Sequence, residues 1–372
     1  MKYVPYGTTG KTVSTLGFGG MRFDTEKRSM EENADLVRYA SSQGITYFDT
    51  APGYCGDKSE EIFGLAFQDM PNDFYVATKI MPDAAPTADD ARKAVDKSLK
   101  RLGVERIHFF HVWCLRHMGH YEKAMQKGGL YEGLQTCRDE GLIDHIVFSS
   151  HQAGDEIREI VERGGYEGVL LGMNILNFPF RGEGAKAAVD HGLGVVAMNP
   201  LAGGMIPKYE DGLSFLCADG ETPTEAALRF CLGSPHVTVA LNGFTTREHV
   251  DAACRVADSA TPFSEAELAR VADHLGTNMD SICTTCGYCK GCPKSIPIPR
   301  YLQFYNEKVM FGVSDEDMRK KIAGEKAWGM LGGIENTADQ CIECGLCEEE
   351  CTQHLPIVER LREIAEWERA AQ

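Results

Sequence analysis

Residues 74–111, FYVATKIMPDAAPTADDARKAVDKSLKRLGVERIHFFH, contain one unit from which the fold can be read. A β-rich run at Phe74–Thr78 is followed by Thr87-Ala-Asp-Asp, a capping hydroxyl with acidic residues behind it, which suits the start of a helix. The amphipathic segment Thr87–Leu102 follows, and then a second β-rich run at Ile107–His111. Strand, helix, strand is the pattern of a parallel α/β domain.

The alternation extends both ways. A hairpin-like start, KYVPYGTTGKTVS, turns at Gly7 to Gly10. Eight strand candidates then follow at Thr15–Phe18, Thr46–Asp49, Phe74–Thr78, Ile107–His111, His145–Ser149, Val169–Met173, Gly194–Met198 and Val237–Leu241. Amphipathic segments such as Met30–Gln43, Asp155–Arg163, Thr224–Leu232 and Thr246–Ala257 separate them, and Thr222-Pro-Thr-Glu is another helix start. Eight βα units over roughly 250 residues predict a (β/α)8 TIM barrel, an α/β fold. A six-stranded doubly wound sheet is the alternative, but its G-x-G-x-x-G fingerprint is missing after the first strand, where the chain reads GFGGMRF. The expected division is a barrel over residues 1–275 and a small, mainly helical domain over 276–372, with Ser264–Leu275 as a last helix and Gly276–Ile282 as the hinge. Helical stretches are expected at Arg300–Val309, Asp315–Ala323 and Arg360–Arg369.

With 43% hydrophobic and 25% charged residues, the chain has the composition of a soluble globular protein. Its net charge of −17 argues against nucleic acid or an anionic membrane as partner. No apolar run has the length of a membrane span. Met1-Lys2-Tyr3-Val4 leads directly into the fold without a signal peptide, so the expected setting is cytoplasmic.

Eight of the fourteen cysteines fall into two runs. Cys283, Cys286, Cys289 and Cys292 stand in CTTCGYCKGCP, and Cys341, Cys344, Cys347 and Cys351 in CIECGLCEEEC. Cysteines at i, i+3 and i+6 let a short looping segment aim three thiolates at one small inorganic cluster. Zinc sites favour two separated pairs, and disulfides need an oxidising compartment. The spacing resembles that of two-cluster ferredoxins, in which the fourth cysteine of each run serves the other cluster. That resemblance implies two 4Fe–4S clusters, one on Cys283, Cys286, Cys289 and Cys351, the other on Cys341, Cys344, Cys347 and Cys292. The long segment between the runs points to the helical type. The remaining six, Cys55, Cys114, Cys137, Cys217, Cys231 and Cys254, read as small buried residues.

Chemistry on a barrel of this kind lies at the C-terminal ends of the strands. Asp49 ends the second strand, Tyr54 lies in the loop beyond it, Lys79 ends the third and His111 the fourth. A carboxylate, a phenol, an ammonium and an imidazole thus converge on one mouth from adjacent strands. YFDTAPGY, VATK and IHFFH on an eightfold βα pattern resemble the aldo-keto reductase family, and GLIDHIVFSSH, VVAMNPLAGG, TPTEAALRFCL and VTVALNGFTT resemble its later units. The resemblance covers residues 1–275, and the two cysteine runs suggest the branch with an appended two-cluster domain.

The resemblance implies an oxidoreductase in which hydride from NADH or NADPH reduces the carbonyl of a small aldehyde or ketone. Tyr54 is then the proton donor. Lys79 lowers its pKa, Asp49 pairs with Lys79, and His111 donates to the developing oxyanion. Implied cofactor contacts are Asp49, Gly20 and Met21, Ser149 and Ser150, Met198, Asn199, Pro200 and Leu201, and Asn242, Gly243, Thr245 and His249. Met173 replaces a glutamine that often grips the carboxamide. Around the adenosine end only Arg247 offers a cation, so NADH and NADPH are both left open. Trp113, Cys114, His117 and His120 are expected near the pocket. The clusters fit a structural or sensing role beside an ordinary reductase. They also fit electron transfer through a flavin or a redox partner protein, or a regulatory protein without turnover.

Overall fold

The computed structural model describes the whole chain except Asn72 and residues 276–281, 284–285, 328–335 and 370–372. The chain opens with an antiparallel ribbon, β1 (Tyr3–Pro5) and β2 (Thr12–Ser14), with Tyr3 opposite Ser14. Eight parallel strands then close into a barrel: β3 (Leu16–Gly19), β4 (Tyr47–Asp49), β5 (Tyr75–Ile80), β6 (Ile107–Leu115), β7 (Ile143–Ser150), β8 (Gly168–Leu171), β9 (Gly194–Met198) and β10 (Val239–Asn242). Each strand pairs with its neighbour in sequence, and β10 returns to β3. Every strand candidate overlaps an observed strand, and the open-sheet alternative is ruled out by that closure.

Side chains alternate across each strand, which separates interior from exterior. Tyr47, Ala77, Phe109, Val147, Leu170, Val196, Val239 and Leu241 fill the barrel as one buried cluster. Tyr6, just past β1, plugs the base, its ring 4.2 Å from that of Phe109. Only glycine leaves room for this plug: a Cβ on Gly168 would lie 2.5 Å from the Tyr6 oxygen, and one on Gly194 would overlap the ring. Two residues beyond Tyr47, Ala77 and Phe109, on the same inward face, stand Asp49, Lys79 and His111. The register sets Asp49 opposite Ala77 and Lys79 opposite His111. The hydrophobic layer is thus the floor on which the ionisable groups rest.

On the outside, Phe18 and Phe48 meet Phe63 of the helix Ser59–Phe67, and Phe67 stacks on Phe74 at 4.3 Å. This packing anchors the helix that directly follows the Tyr54 loop. Thr87 accepts a hydrogen bond from Asp90 N (3.2 Å) at the head of Ala88–Leu102, and Thr222 and Glu225 form a reciprocal capping box at Pro223–Gly233.

β6 differs from expectation. It does not end at His111 but continues to Leu115. A register shift between Val112 and Leu115 accommodates it, with Cys114 at φ +61°, and Ser149 and Ser150 fasten it. Ser149 Oγ accepts from Cys114 N (2.8 Å), and Ser150 Oγ donates to Leu115 O (2.9 Å).

The chain divides into two compact units, Met1–Glu267 and Leu268–Gln372. The second is helical, with Ile298–Phe311, Asp315–Ala327 and Ile357–Arg369 as its long members. Tyr301, Leu302, Phe304, Ile364 and Trp367 share one core with Cys283, Cys289 and Cys347. Buried Glu368 accepts from Tyr301 Oη (2.8 Å) and Ala338 N (3.0 Å), tying two segments together. The hinge expected at Gly276–Ile282 falls, apart from Ile282, outside the described residues. Among the described residues no helix is long and apolar enough to cross a membrane.

Candidate active site and cluster ligands

Lys79 is fully buried, and its Nζ donates to Asp49 Oδ1 and to Thr50 O, both at 2.6 Å. Burial pushes the Asp49 carboxyl up and the Lys79 ammonium down, and their mutual attraction opposes both shifts. The ammonium lies 5.1 Å from the centroid of the Tyr54 ring, which meets Trp113 edge-on at 5.7 Å. The structure therefore brings the four expected groups to one place.

Tyr54 departs from the expected electrostatics. Its phenol is pushed above the ordinary tyrosine value by burial, then by the Asp49 carboxylate and the thiols of Cys114 and Cys55. The Lys79 charge is already engaged by Asp49, so the phenol keeps its proton. His111 is held well below the usual imidazole value by burial and by Lys79, so the ring is neutral. Its Nδ1 faces Phe148 O at 3.4 Å, while Nε2 stands 3.7 Å from Asp49 Oδ2 without a hydrogen bond. Nε2 is the atom left for a ligand oxygen.

The proposed cofactor positions lie on the rim formed by the ends of β3, β7, β9 and β10, but several have internal work. Gly20 is buried, and its carbonyl accepts from Ser59 Oγ (2.9 Å) and Cys55 Sγ (3.3 Å), which ties the Tyr54 loop to β3. Met21 beside it is 56% exposed. Ser149 and Ser150 hold the β6 bulge. Met198 packs against the barrel interior, Pro200 is buried, Leu201 is half-buried, and Asn199 sits at φ +58°, a left-handed conformation asparagine tolerates. Gly243 is exposed beside Arg22, and Thr245 Oγ1 and His249 Nδ1 are 3.1 Å apart. Buried Asn242 leaves its Nδ2 without a hydrogen-bond partner, as do Gln152 Nε2 and Asp49 Oδ2. Buried polar atoms are rarely left so. Two amide donors and an imidazole nitrogen at one barrel mouth suit a ligand with several acceptor oxygens, and a dinucleotide has them.

Among the described residues no three His, Cys, Asp or Glu side chains are placed to hold a single metal ion. His117 and His120 instead lie against each other, ring centroids 3.9 Å apart and tilted by 39°. None of the fourteen cysteines is paired in a disulfide. Those of the C-terminal runs converge across the two runs: Cys289 is pushed up to about 12 by burial and by Cys286, Cys351 and Cys347, and Cys347 to about 11 by burial, Glu348, Cys341 and Cys344. Cys286 Sγ lies 3.8 Å from Thr352 Oγ1, next to Cys351. Backbone N–H groups donate to sulfur at Cys341 (from Glu343, 3.4 Å) and Cys351 (from Leu355, 3.5 Å). Cys292 packs against the same core. Cysteines of both runs gathered about one core, with N–H groups aimed at sulfur, suit ligation of a metal cluster.

The model of the aldo/keto reductase family matches residues 15–275. The chain belongs to the aldo/keto reductase family. A 4Fe-4S dicluster domain matches residues 279–355, so this reductase-type barrel is followed by a dicluster domain. The chain is 27% identical over 211 residues to the uncharacterized oxidoreductase YqkF of Bacillus subtilis, a match spanning 54% of this chain and 65% of that protein. It is also 27% identical over 300 residues to the uncharacterized oxidoreductase YrpG of Bacillus subtilis, across 67% of this chain and 89% of the relative. The barrel matches the structure of an aldo-keto reductase from Klebsiella pneumoniae in complex with NADPH, with a TM-score of 0.62 at 18% identity over 73% of this chain and 94% of that one.

Three groups in this member of the aldo/keto reductase family have no counterpart among the residues expected from the sequence. Gln152 is buried at the end of β7 with an unpartnered amide nitrogen; its signal was its place two residues after Ser150. Buried Asn174 donates to Asn199 O (3.0 Å) and supports the strained turn after β9. Arg22 and Arg28 reach across from the segment after β3: Arg28 donates to Thr245 O in the loop after β10, and Arg22 lies against Gly243 and donates to Gly203 O, in the loop after β9, at 3.4 Å. A linear reading places them far from Arg247 because only barrel closure brings β3 beside β10.

Proposed function

We propose that the barrel, residues 1–275, reduces the carbonyl of a small aldehyde or ketone, and that residues 276–372 carry two 4Fe–4S clusters. Bound NADH or NADPH would supply a hydride from nicotinamide C4 to the carbonyl carbon. As the carbonyl π pair moves onto oxygen, Tyr54 gives that oxygen its phenolic proton and becomes phenolate. His111 Nε2 is placed to orient the oxygen. Lys79, fixed by Asp49 and Thr50, puts a cation under the phenolate as it forms, when its charge counts most. The observation that carries this reading is the fixed Lys79 ammonium 5.1 Å from the Tyr54 ring centroid. Arg28 at Thr245 and Arg22 beside Gly243 favour NADPH over NADH.

Asn242, Gly243, Thr245 and His249 would serve the nucleotide end, and Met198, Asn199, Pro200 and Leu201 the nicotinamide. Cys283, Cys286, Cys289 and Cys351 would hold one cluster, and Cys341, Cys344, Cys347 and Cys292 the other. The clusters would supply one-electron chemistry.

A second reading, electron exchange with a redox partner protein, is favoured by one observation. Cys344 is exposed, and Ile342 and Leu346 around it are 55% and 45% exposed. Apolar side chains at the lip of a cluster site suit transient docking.

The test is Tyr54→Phe. The variant should lose reduction of a test aldehyde while iron and acid-labile sulfide stay at wild-type levels. Full activity in the variant would remove Tyr54 from the acid role.

A further inference from the structure

The loop after β9 follows a backbone path that needs outside support. Asn199 and Ala202 are both left-handed, at φ +58° and +49°, and Gly203 and Gly204 follow at +70° and +97°. Residues with side chains adopt that conformation at a cost, and it persists where the surroundings over-determine it. Here the support meets at one atom. Asn199 O accepts from Ala202 N (2.9 Å), which closes the turn, and from Asn174 Nδ2 (3.0 Å), which reaches over from the end of β8.

Asn174 is itself locked in place. It is buried, its Oδ1 accepts from Leu176 N (2.9 Å), and its backbone N donates to Asn177 Oδ1 (2.8 Å). Asn177 Nδ2 donates to Gly172 O (3.0 Å), and so does Nη1 of the fully buried Arg181 (2.7 Å). The same guanidinium donates to His151 O at 2.6 Å and Gln152 O at 3.2 Å, just beyond the end of β7. Its planar fork presents these donors in fixed directions. The ends of β7, β8 and β9 are thus joined by one buried frame, and Asn174 is its link to β9.

We propose that Asn174 is a positioning residue for hydride transfer. By gripping Asn199 O it fixes the height and tilt at which the segment Met198–Leu201 would hold a nicotinamide against a carbonyl beside Tyr54. Transfer needs the reacting atoms ~3–3.5 Å apart, and a displacement of about 1 Å costs roughly a hundredfold in rate. Without the grip, the left-handed turn is free to relax to less strained backbone paths, and the ring moves with it. The effect falls on the chemical step more than on affinity, because the nucleotide end of the cofactor is assigned to the loop after β10.

The inference rests on the hydride transfer of the proposed function and on Met198–Leu201 as the nicotinamide segment, and wild type tells the two failures apart. A wild-type protein that binds NADPH but reduces no test aldehyde in a single turnover ends the proposed function and the inference with it. With transfer present in wild type, Asn174→Ala should bind NADPH in fluorescence titration with wild-type stoichiometry and a dissociation constant near that of wild type. Its single-turnover rate per bound NADPH should fall about tenfold to a hundredfold. A variant that is merely less stable loses binding sites and keeps the wild-type rate at those that remain. That result, or weakened binding with an unchanged rate, overturns the inference. Should Asn174→Ala fail to fold, Asn177→Ala decides, since it removes a support of Asn174 and leaves Nδ2 and Oδ1 present. A lowered rate per bound NADPH in that variant supports the inference, and a wild-type rate overturns it.

Discussion

Lys79 stands opposite His111 in the register of β5 and β6, and both point into the barrel above Ala77 and Phe109. Asp49 reaches the same level from β4, so its salt bridge to Lys79 joins adjacent strands beneath the Tyr54 ring. The pair is buried on all sides. Its groups carry a large desolvation cost, so their arrangement depends on each keeping its partner.

Removing one partner should accordingly cost stability as well as activity. Lys79→Met leaves the Asp49 carboxylate buried and alone, which should destabilise the barrel by about 3–5 kcal/mol. Chemical denaturation followed by circular dichroism checks this. A loss below about 1 kcal/mol would mean that the Lys79 ammonium contributes little net stability at this position.

The raised pKa of Tyr54 fixes the sign of the pH response. A phenol that retains its proton is ready to act as acid, so carbonyl reduction should show no loss from this group between neutral pH and the ordinary tyrosine range. Alcohol oxidation needs the phenolate, whose fraction grows with pH, so the reverse rate should rise as pH increases. His111, lowered well below its usual value, should add no step near pH 6.5. Initial rates in both directions from pH 6 to 10 test this, and a reductive rate falling from pH 7 upward would contradict the phenol's assigned state.

Much of this was legible in the chain. The strand candidates at Thr46–Asp49 and Ile107–His111 were visible as short β-rich runs, and Asp49, Tyr54, Lys79 and His111 stood at recognisable points on them. Other features were not local. The extension of β6 to Leu115 depends on serines in β7 and a left-handed Cys114, which no pattern within β6 displays. The helix Phe178–Asp190 includes Pro179, Gly182 and Gly184, which obscure its helical character. The expected lowering of the Tyr54 pKa by Lys79 fails because burial outweighs a charge already neutralised by Asp49.

Arg28 makes a separate prediction about the nucleotide. It donates to Thr245 O at the β10 loop, so Arg28→Met should weaken NADPH binding about tenfold, consistent with loss of a charged hydrogen bond. NADH binding should change little. Fluorescence titration of both cofactors measures the difference, and an equal loss for the two would assign Arg28 to holding the loop alone.

Direct hydride transfer at the barrel is tested most directly with NADPH carrying deuterium at nicotinamide C4 on the transferred face. Anaerobic turnover of a test aldehyde, followed by mass spectrometry of the alcohol, should find one deuterium on the former carbonyl carbon. An alcohol formed without deuterium, its carbon-bound hydrogen drawn from solvent, would contradict the account and place the reducing electrons on a route through the clusters.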